Sequence, residues 1–364
     1  MPPSPYFPAP IPRSLELPPS TVRLLGDAEG ELGQLAGVGR LLPGPDILLR
    51  PYLLREALSS TRIEGTQASM AEVFESDAAG GAPNADVEEV VNYAAAMRWG
   101  LERLDDLPLS TRLLCEMHRR LMDGVRGLDL APGELRTTQN WIGAPGSTVE
   151  TAQFVPPPPG ELAQLLTDWE RFAHEEPEMP LLVQNALLHS QFETIHPFLD
   201  GNGRLGRLLL VFFLVARGRL STPLLYLSAY VERHRQDYYD ALQAIREQGD
   251  PIPWIELFLT AVQTQASDAV RRAQRIVELR EQYRQAAGTV GTASALALVD
   301  LLCENPVVTT RSVEGRLGVS RPTALRLLRR MEEQGVLSEG DEGPRGQRRY
   351  VARAMMDAIA GEAG

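Results

Sequence analysis

The chain has 364 residues, 43% of them hydrophobic and 23% charged, with a formal net charge of −12. That length exceeds one typical core, so two or three units are expected, and the acidic balance excludes indiscriminate nucleic-acid binding by the molecule as a whole. All 36 basic residues are arginine, which excludes a Walker-type phosphate loop and Schiff-base chemistry, since both need a lysine.

The chain opens with MPPSPYFPAPIPRS. This stretch lacks the basic start and apolar run of a secretory signal and reads as a proline-rich disordered leader over residues 1–19. Helical patterning follows from about Ser20 to Leu104, interrupted by Leu42-Pro43-Gly44-Pro45 and by residues 78–84, which predicts an N-terminal helical region over 20–108. Within it, a helical run from Leu53 to Ile63 stops at Gly65, where glycine enters the left-handed region at little cost. From Leu109 to about Ala261 the pattern is helical again, defining a core over 109–262. One exception is Thr137 to Pro159, where Trp141-Ile142-Gly143, a Gly146-Ser147 turn, Phe154-Val155 and a run of prolines predict a short β-hairpin or extended flap.

Leu208 to Val215, the longest apolar run, lies between Arg207 and Arg217 and reads as a buried helix, too short to span a bilayer. An Arg/Gln/Glu-rich stretch predicts a connecting helix over 263–291. Residues 292–364 show helix, turn, helix and then two short extended runs around Gly340 to Arg348, the outline of a winged helix-turn-helix. Cys115 and Cys303 lie far apart in apolar, helix-like stretches. Two cysteines make no disulfide framework, which fits a reducing cytoplasm.

The most informative stretch is His196-Pro197-Phe198-Leu199-Asp200-Gly201-Asn202-Gly203-Arg204-Leu205-Gly206-Arg207. Gly201 and Gly203 flank Asn202 just before a helix start, a pattern that leaves backbone N–H groups open as an anion cradle at the positive helix end. Arg204 and Arg207 share a face in the first turn. Cations there oppose the helix dipole, a cost that a bound anion offsets. Asp200 beside two arginines suits a magnesium ion shared with phosphate oxygens. His196 is the nearby side chain able to accept a proton near neutral pH.

This stretch resembles the Fic family motif HPFx(D/E)GNGRxxR, with every fixed position matched. The resemblance implies an all-helical fold with a short flap, and transfer of AMP from Mg·ATP to a Ser, Thr or Tyr hydroxyl of a target protein. His196 would deprotonate that hydroxyl and Asp200 would hold Mg2+ against the inner phosphates. Gly201, Asn202 and Gly203 would form the anion hole, continued by Leu205 and Gly206, with Arg204 on the inner phosphates and Arg207 on the γ-phosphate. Tyr238-Tyr239 matches a tyrosine pair that lies by adenine and ribose in the family; adjacent helical positions face different ways, so one of the two can be core. Arg136 to Gly143, with Asn140, Trp141, Ile142 and Gly143, resembles the family's flap, whose backbone pairs with an extended stretch of target.

Ser60, Glu64 and Gly65 match the family's inhibitory pattern (S/T)xxxE(G/N). The resemblance implies that Glu64 pairs with Arg207 and blocks a productive ATP pose, and that Glu64 can also orient water to reverse the modification. Self-modification and homodimerisation are within the same expectation, and no membrane association is. In the C-terminal unit Arg321, Arg326, Arg329 and Arg330 on the second helix favour contact with a DNA backbone, while the interspersed Glu332, Glu333, Asp341 and Glu342 favour a docking or dimerisation module. Two other functions compete. A non-enzymatic DNA-binding nucleotide sensor would need neither His196 nor Asp200, and phosphate-transferring relatives depart from the GNGR core.

Overall fold

Helices dominate because apolar residues recur at helical spacing along most of the chain. The computed structural model describes residues 4–41, 46–79, 84–124, 130–144, 146–340 and 348–361. The N-terminal region folds as α1 (Pro19–Leu41), α2 (Asp46–Ile63), α3 (Met70–Ala79) and α4 (Ala85–Arg103). Asn84 starts α4 by accepting from the Val87 amide at 2.9 Å, and Ser110 does the same for Leu113 in α5 (Thr111–Leu121). Then come α6 (Leu162–His174), α7 (Leu181–Ile195), α8 (Asn202–Ala216), α9 (Ser228–Arg233) and α10 (Arg235–Gln248).

At the centre, α7 and α8 form an antiparallel hairpin whose residues are almost all buried, Leu182–Ser190 on one arm and Arg204–Leu214 on the other. A helix apolar on every side must be covered on every side. Here α5, α6, α2 and α4 supply the cover. The loop between the two arms is the motif read above.

Next comes α11 (Ile252–Val290), one unbroken helix of 39 residues that crosses the limit expected at residue 262. It packs along α1, touches α7 near its start, and carries the C-terminal unit near its end. That unit is α12 (Ala293–Glu304), β1 (Val307–Thr309), α13 (Thr310–Leu317), α14 (Arg321–Glu333), β2 (Ser338–Glu339), β3 (Arg349–Val351) and α15 (Arg353–Ala360). Its strands form one antiparallel sheet in the order β1-β3-β2, with Val308 opposite Tyr350 and Ser338 opposite Val351. The tip expected between β2 and β3, residues 341–347, lies outside the described residues, as do residues 42–45 and 80–83 of the expected interruptions.

Two expectations need correction. Residues 4–18 are not a loose leader. Ile11 is buried, Tyr6 N donates to the Val155 carbonyl at 2.9 Å, Glu178 N donates to the Arg13 carbonyl at 3.0 Å, and Arg13 pairs with Glu175 at 2.6 Å. Proline fixes φ for an extended strap, and Ile11, Leu15 and Leu17 supply its apolar contacts. Second, α2 begins well before Leu53 and contains Pro51, so tertiary packing overrides the usual cost of an internal proline. The flap, expected as a short hairpin or an extended segment, is held among the described residues by one antiparallel bridge. Ile142 N donates to the Phe154 carbonyl at 2.8 Å and Phe154 N returns to Ile142 at 3.1 Å.

Candidate active site

The motif loop is shaped by two residues with positive φ. His196 closes α7 at φ 49°, and Gly201 precedes α8 at φ 73°. A Cβ on Gly201 would sit 2.9 Å from Met122 Sδ and 3.2 Å from His118 Nε2, so both conformation and space require glycine. The first intrahelical bond of α8 runs from Leu205 N to the Gly201 carbonyl, and no side chain caps the helix. The amides of Asn202, Gly203 and Arg204 therefore have no intrahelical partner and point at an anion position.

These amides border a cleft of about 330 Å³, lined among others by Glu64, Trp141, Ile142, Gly143, Glu193, His196, Asp200, Gly201, Asn202, Gly203, Arg207, Tyr238 and Tyr239. The His196 ring is mostly buried, and its Nδ1 lies 3.3 Å from the Glu193 carbonyl. A carbonyl only accepts, so Nδ1 carries the proton and Nε2 keeps a free lone pair. Burial, reinforced by Arg246 and Arg136, pulls the imidazole down to about 3. It is a neutral base at ordinary pH. Arg136 donates from Nε to the His196 carbonyl at 2.9 Å, and Asn140 Nδ2 donates to the same carbonyl at 3.2 Å and to that of Phe198 at 2.8 Å. Asn140 is thus turned inward as a brace for the loop, while Trp141 remains 41% exposed at the cleft rim.

Asp200 Oδ1 accepts from the Gly201 amide at 2.6 Å. Its side chain is 46% exposed, and Oδ2 stands 3.5 Å from Arg204. A magnesium ion that arrives with a nucleotide needs only one or two carboxylates plus phosphate oxygens, and this half-open carboxylate fits that donor set. Among the described residues no group of three or more potential metal ligands occurs.

Arg204 is buried between Glu89, at 3.4 Å, and Asp200. Leu205 is fully buried, and Gly206 faces α7, where a Cβ would lie 2.1 Å from Glu193 Oε1. Those two positions, expected to continue the phosphate cradle, instead belong to the packing of the hairpin. Tyr238 is also core, with 2% exposure, whereas Tyr239 is 38% exposed. The Tyr238 hydroxyl donates to His189 Nε2 at 2.8 Å, because His189 Nδ1 is committed to the Gly206 carbonyl at 3.0 Å.

Arg207, 3% exposed, is gripped from α2. Its Nε donates to Ser60 Oγ at 2.9 Å, and Nη2 donates to the Ser60 carbonyl at 3.0 Å and to Glu64 Oε1 at 2.7 Å. Burial alone would raise the Glu64 carboxyl, but the charge and hydrogen bond of Arg207 hold it below the usual range. For Arg207 burial works against the charge, and Glu64 more than restores it. Ser60 lies in the last turn of α2 and Glu64 in the turn just past its end, four residues on, where Gly65 follows at φ 104°. The opposite side of α2 is tied down by Tyr52, whose hydroxyl donates to the Ala269 carbonyl at 2.7 Å, and by Arg55, which pairs with Asp268 at 2.9 Å.

Two site residues were not singled out from the sequence. His118 on α5 receives the Gly133 amide on Nδ1 at 2.8 Å and donates from Nε2 to the Asp200 carbonyl at 2.9 Å, while its ring stacks on Phe198. Burial first, with Arg204 adding to it, lowers this imidazole to about 4. Glu193 on α7 lines the cleft beside His196. Its only sequence signal is being the single acid of α7, one turn before the motif.

The chain matches the Fic/DOC family N-terminal model over residues 22–102 and the Fic/DOC family model over residues 108–214, together more than half its length. It belongs to the Fic/DOC family. Protein adenylyltransferase Fic of Drosophila grimshawi is 31% identical over 170 residues, 46% of this chain and 32% of that protein. The protein of the same description from Culex quinquefasciatus is 31% identical over 206 residues, 54% of this chain and 37% of that one. The chain thus spans about a third of the length of these curated relatives. A Fic family protein from Desulfovibrio desulfuricans shares the fold with a TM-score of 0.61 at 22% identity, over 93% of this chain and 97% of that one.

Proposed function

We propose that the chain is a self-inhibited protein adenylyltransferase that moves AMP from Mg·ATP to a Ser, Thr or Tyr hydroxyl of a target protein or of itself, in the cytoplasm. The observation that carries the reading is the meeting of three elements at one cleft: the open amides at 202–204, a neutral His196 aimed by its own helix end, and Arg207 held by Glu64. The description of the Drosophila and Culex relatives supports the same activity.

In this reading the amides of Asn202, Gly203 and Arg204 receive the phosphate charge and Arg207 takes the γ-phosphate once Glu64 lets go. Asp200 would hold a magnesium ion, which when bound supplies charge neutralisation to the triphosphate. His196 Nε2 takes the proton of the acceptor hydroxyl, whose oxygen attacks the α-phosphorus while pyrophosphate leaves. Trp141 and Gly143, on either side of the bridged Ile142, offer their backbone edge to an extended target segment. While Glu64 occupies Arg207 a triphosphate cannot reach its productive pose, and the same carboxylate can orient a water for removal of AMP. The exposed Arg321, Arg326 and Arg329 of α14 serve either DNA backbone contact or partner docking.

Labelled ATP tests the reading. The Glu64→Gly protein should attach label from α-labelled ATP to protein far more than the parent, His196→Ala should attach none, and γ-labelled ATP should leave no label. Transfer of the γ-label would make the chain a phosphotransferase. Equal labelling by the parent and His196→Ala would remove His196 as the base.

A further inference from the structure

Glu193 is the one buried acid in the cleft to which the scheme above gives no task. It is 5% exposed. Its Oε2 lies 4.0 Å from His196 Nδ1, and its Oε1 has no hydrogen-bond partner among the described residues. Room for that oxygen exists because position 206 has no side chain: a Cβ there would stand 2.1 Å away. Leaving a buried carboxyl oxygen unpaired costs about 1–3 kcal/mol, so an arrangement kept purely for packing would be better served by an apolar residue.

The base has a matching difficulty. When His196 takes a proton it becomes a cation in a dry site, with Arg246 and Arg136 both opposing the charge. Glu64 favours the cation, but in the proposed cycle it must leave Arg207 for the γ-phosphate. Glu193 sits on the same helix as His196, one turn away, and stays.

Resting on the adenylyltransferase reading, we propose that Glu193 is a positioning residue of this reaction: its carboxylate, lodged in the space left by Gly206, stabilises the imidazolium that His196 becomes on accepting the substrate proton. The acceptor O–H bond breaks, the proton goes to His196 Nε2, and Nδ1–H remains on the Glu193 carbonyl. Glu193 gives and takes no proton in the step. Its surroundings set when the charge is present. Burial raises the carboxyl to about 7, Arg207 and Arg246 pull it down and Glu64 pushes it up, with His189, His196 and Tyr238 completing the groups that face it.

The test uses the full chain carrying Glu64→Gly, with and without Glu193→Gln, and Glu193→Asp as the variant that keeps the charge. In the Glu64→Gly protein, kcat for AMP transfer should rise between pH 6 and pH 8. Glu193→Gln should remove that rise, losing about tenfold at pH 8 and converging with its parent at pH 6. KM for ATP should stay within about twofold, and Glu193→Asp should recover part of the rise. Independently of turnover, the ring-nitrogen NMR shift of His196 should show a step near pH 7 that the glutamine variant lacks. A kcat profile unchanged by Glu193→Gln, or a loss confined to KM for ATP, overturns the proposal, as does an absent step. A His196 step without any AMP transfer would instead refute the adenylyltransferase reading and leave the Glu193–His196 coupling standing.

Discussion

Asn202 grips Phe198 across the motif loop: its Oδ1 accepts from the Phe198 amide at 2.9 Å and its Nδ2 donates to the Phe198 carbonyl at 2.9 Å. Aspartate would keep the first bond and set a carboxylate against the carbonyl of the second. The new charge gains about 0.3–1 kcal/mol from the helix N-terminus, while the lost bond and the carboxylate now facing the Phe198 carbonyl, which Asn140 still holds, cost about 1–3 kcal/mol. Asn202→Asp should therefore lower Tm and slow AMP transfer. A Tm equal to the parent's would mean that the loop is held by other contacts.

His118 fixes the carbonyl of Asp200 and the amide of Gly133 with one ring. Phenylalanine preserves the stack on Phe198 but leaves both backbone groups unpaired. His118→Phe is expected to lose about 1–3 kcal/mol of stability and to raise the magnesium concentration needed for half-maximal labelling, because Asp200 loses its anchor. Titration of magnesium in the Glu64→Gly protein checks this. An unchanged midpoint would separate His118 from the metal carboxylate.

Glycine to alanine inside a helix normally gains about 1 kcal/mol. At Gly206 the added methyl meets Glu193 Oε1 at 2.1 Å and Phe192 at 3.2 Å, and overpacking of that kind costs about 1–3 kcal/mol. Gly206→Ala should be destabilising alone and closer to neutral in a Glu193→Ala background. Chemical denaturation of the four proteins measures the coupling. Additive effects would show that the two side-chain positions do not share one space.

His189 and His196 are held down to about 3 and His118 to about 4, in each case chiefly by burial. Their folded values lie below the ordinary imidazole value, so the unfolded chain binds more protons as pH falls below about 6.5. Each histidine then removes roughly 1 kcal/mol of stability per pH unit, down to its folded value. Glu193, raised to about 7 by burial, works the other way, since its folded form takes up a proton there before the unfolded chain does. Stability should be level above pH 7 and fall between pH 6 and 4 less steeply than the histidines alone would give, and replacing His189 with glutamine should flatten that fall.

Among the described residues, a DNA reading of the C-terminal unit would rest on α14. Arg348 pairs with Glu332 and Glu339, and Arg349 is largely buried against Glu75 on α3, whereas Arg321, Arg326 and Arg329 are exposed. If α14 meets DNA phosphates, Arg326→Ser with Arg329→Ser should reduce the slope of binding against salt by about two. Retention untouched by the pair assigns α14 to protein docking.

The motif loop was legible in the sequence because its chemistry is local: Gly201, Asn202 and His196 act through their own backbone and near neighbours. Ser60 and Glu64 were legible only through a pattern shared with the family, since nothing near them in the chain names Arg207 as partner. His118 and Glu193 were not read because only the packing of α5 and α7 against α8 gives them a task. Leu205 and Gly206 were placed in the site with the rest of the motif and lie in the core, as helical geometry rotates neighbours about 100° apart, while of the family's tyrosine pair Tyr238 is the buried member at the cleft wall and Tyr239 the exposed one. The strap over residues 4–18 was misread because proline content was weighed above the spaced Ile11, Leu15 and Leu17.

The 39 residues of α11 make a rod about 58 Å long. One end drives Trp254 against the His189 ring and into the Ala186 carbonyl, at 2.7 Å, directly beneath the hairpin that bears the motif. Further along, Ala269 and Asp268 anchor the back of α2, and the far end seats α12 and α15. The distal module, the floor of the cleft and the back of α2 thus all rest on one stiff member, so a displacement at one end would be passed to the others. A flexible insertion midway along it should leave each end folded and make them deaf to one another.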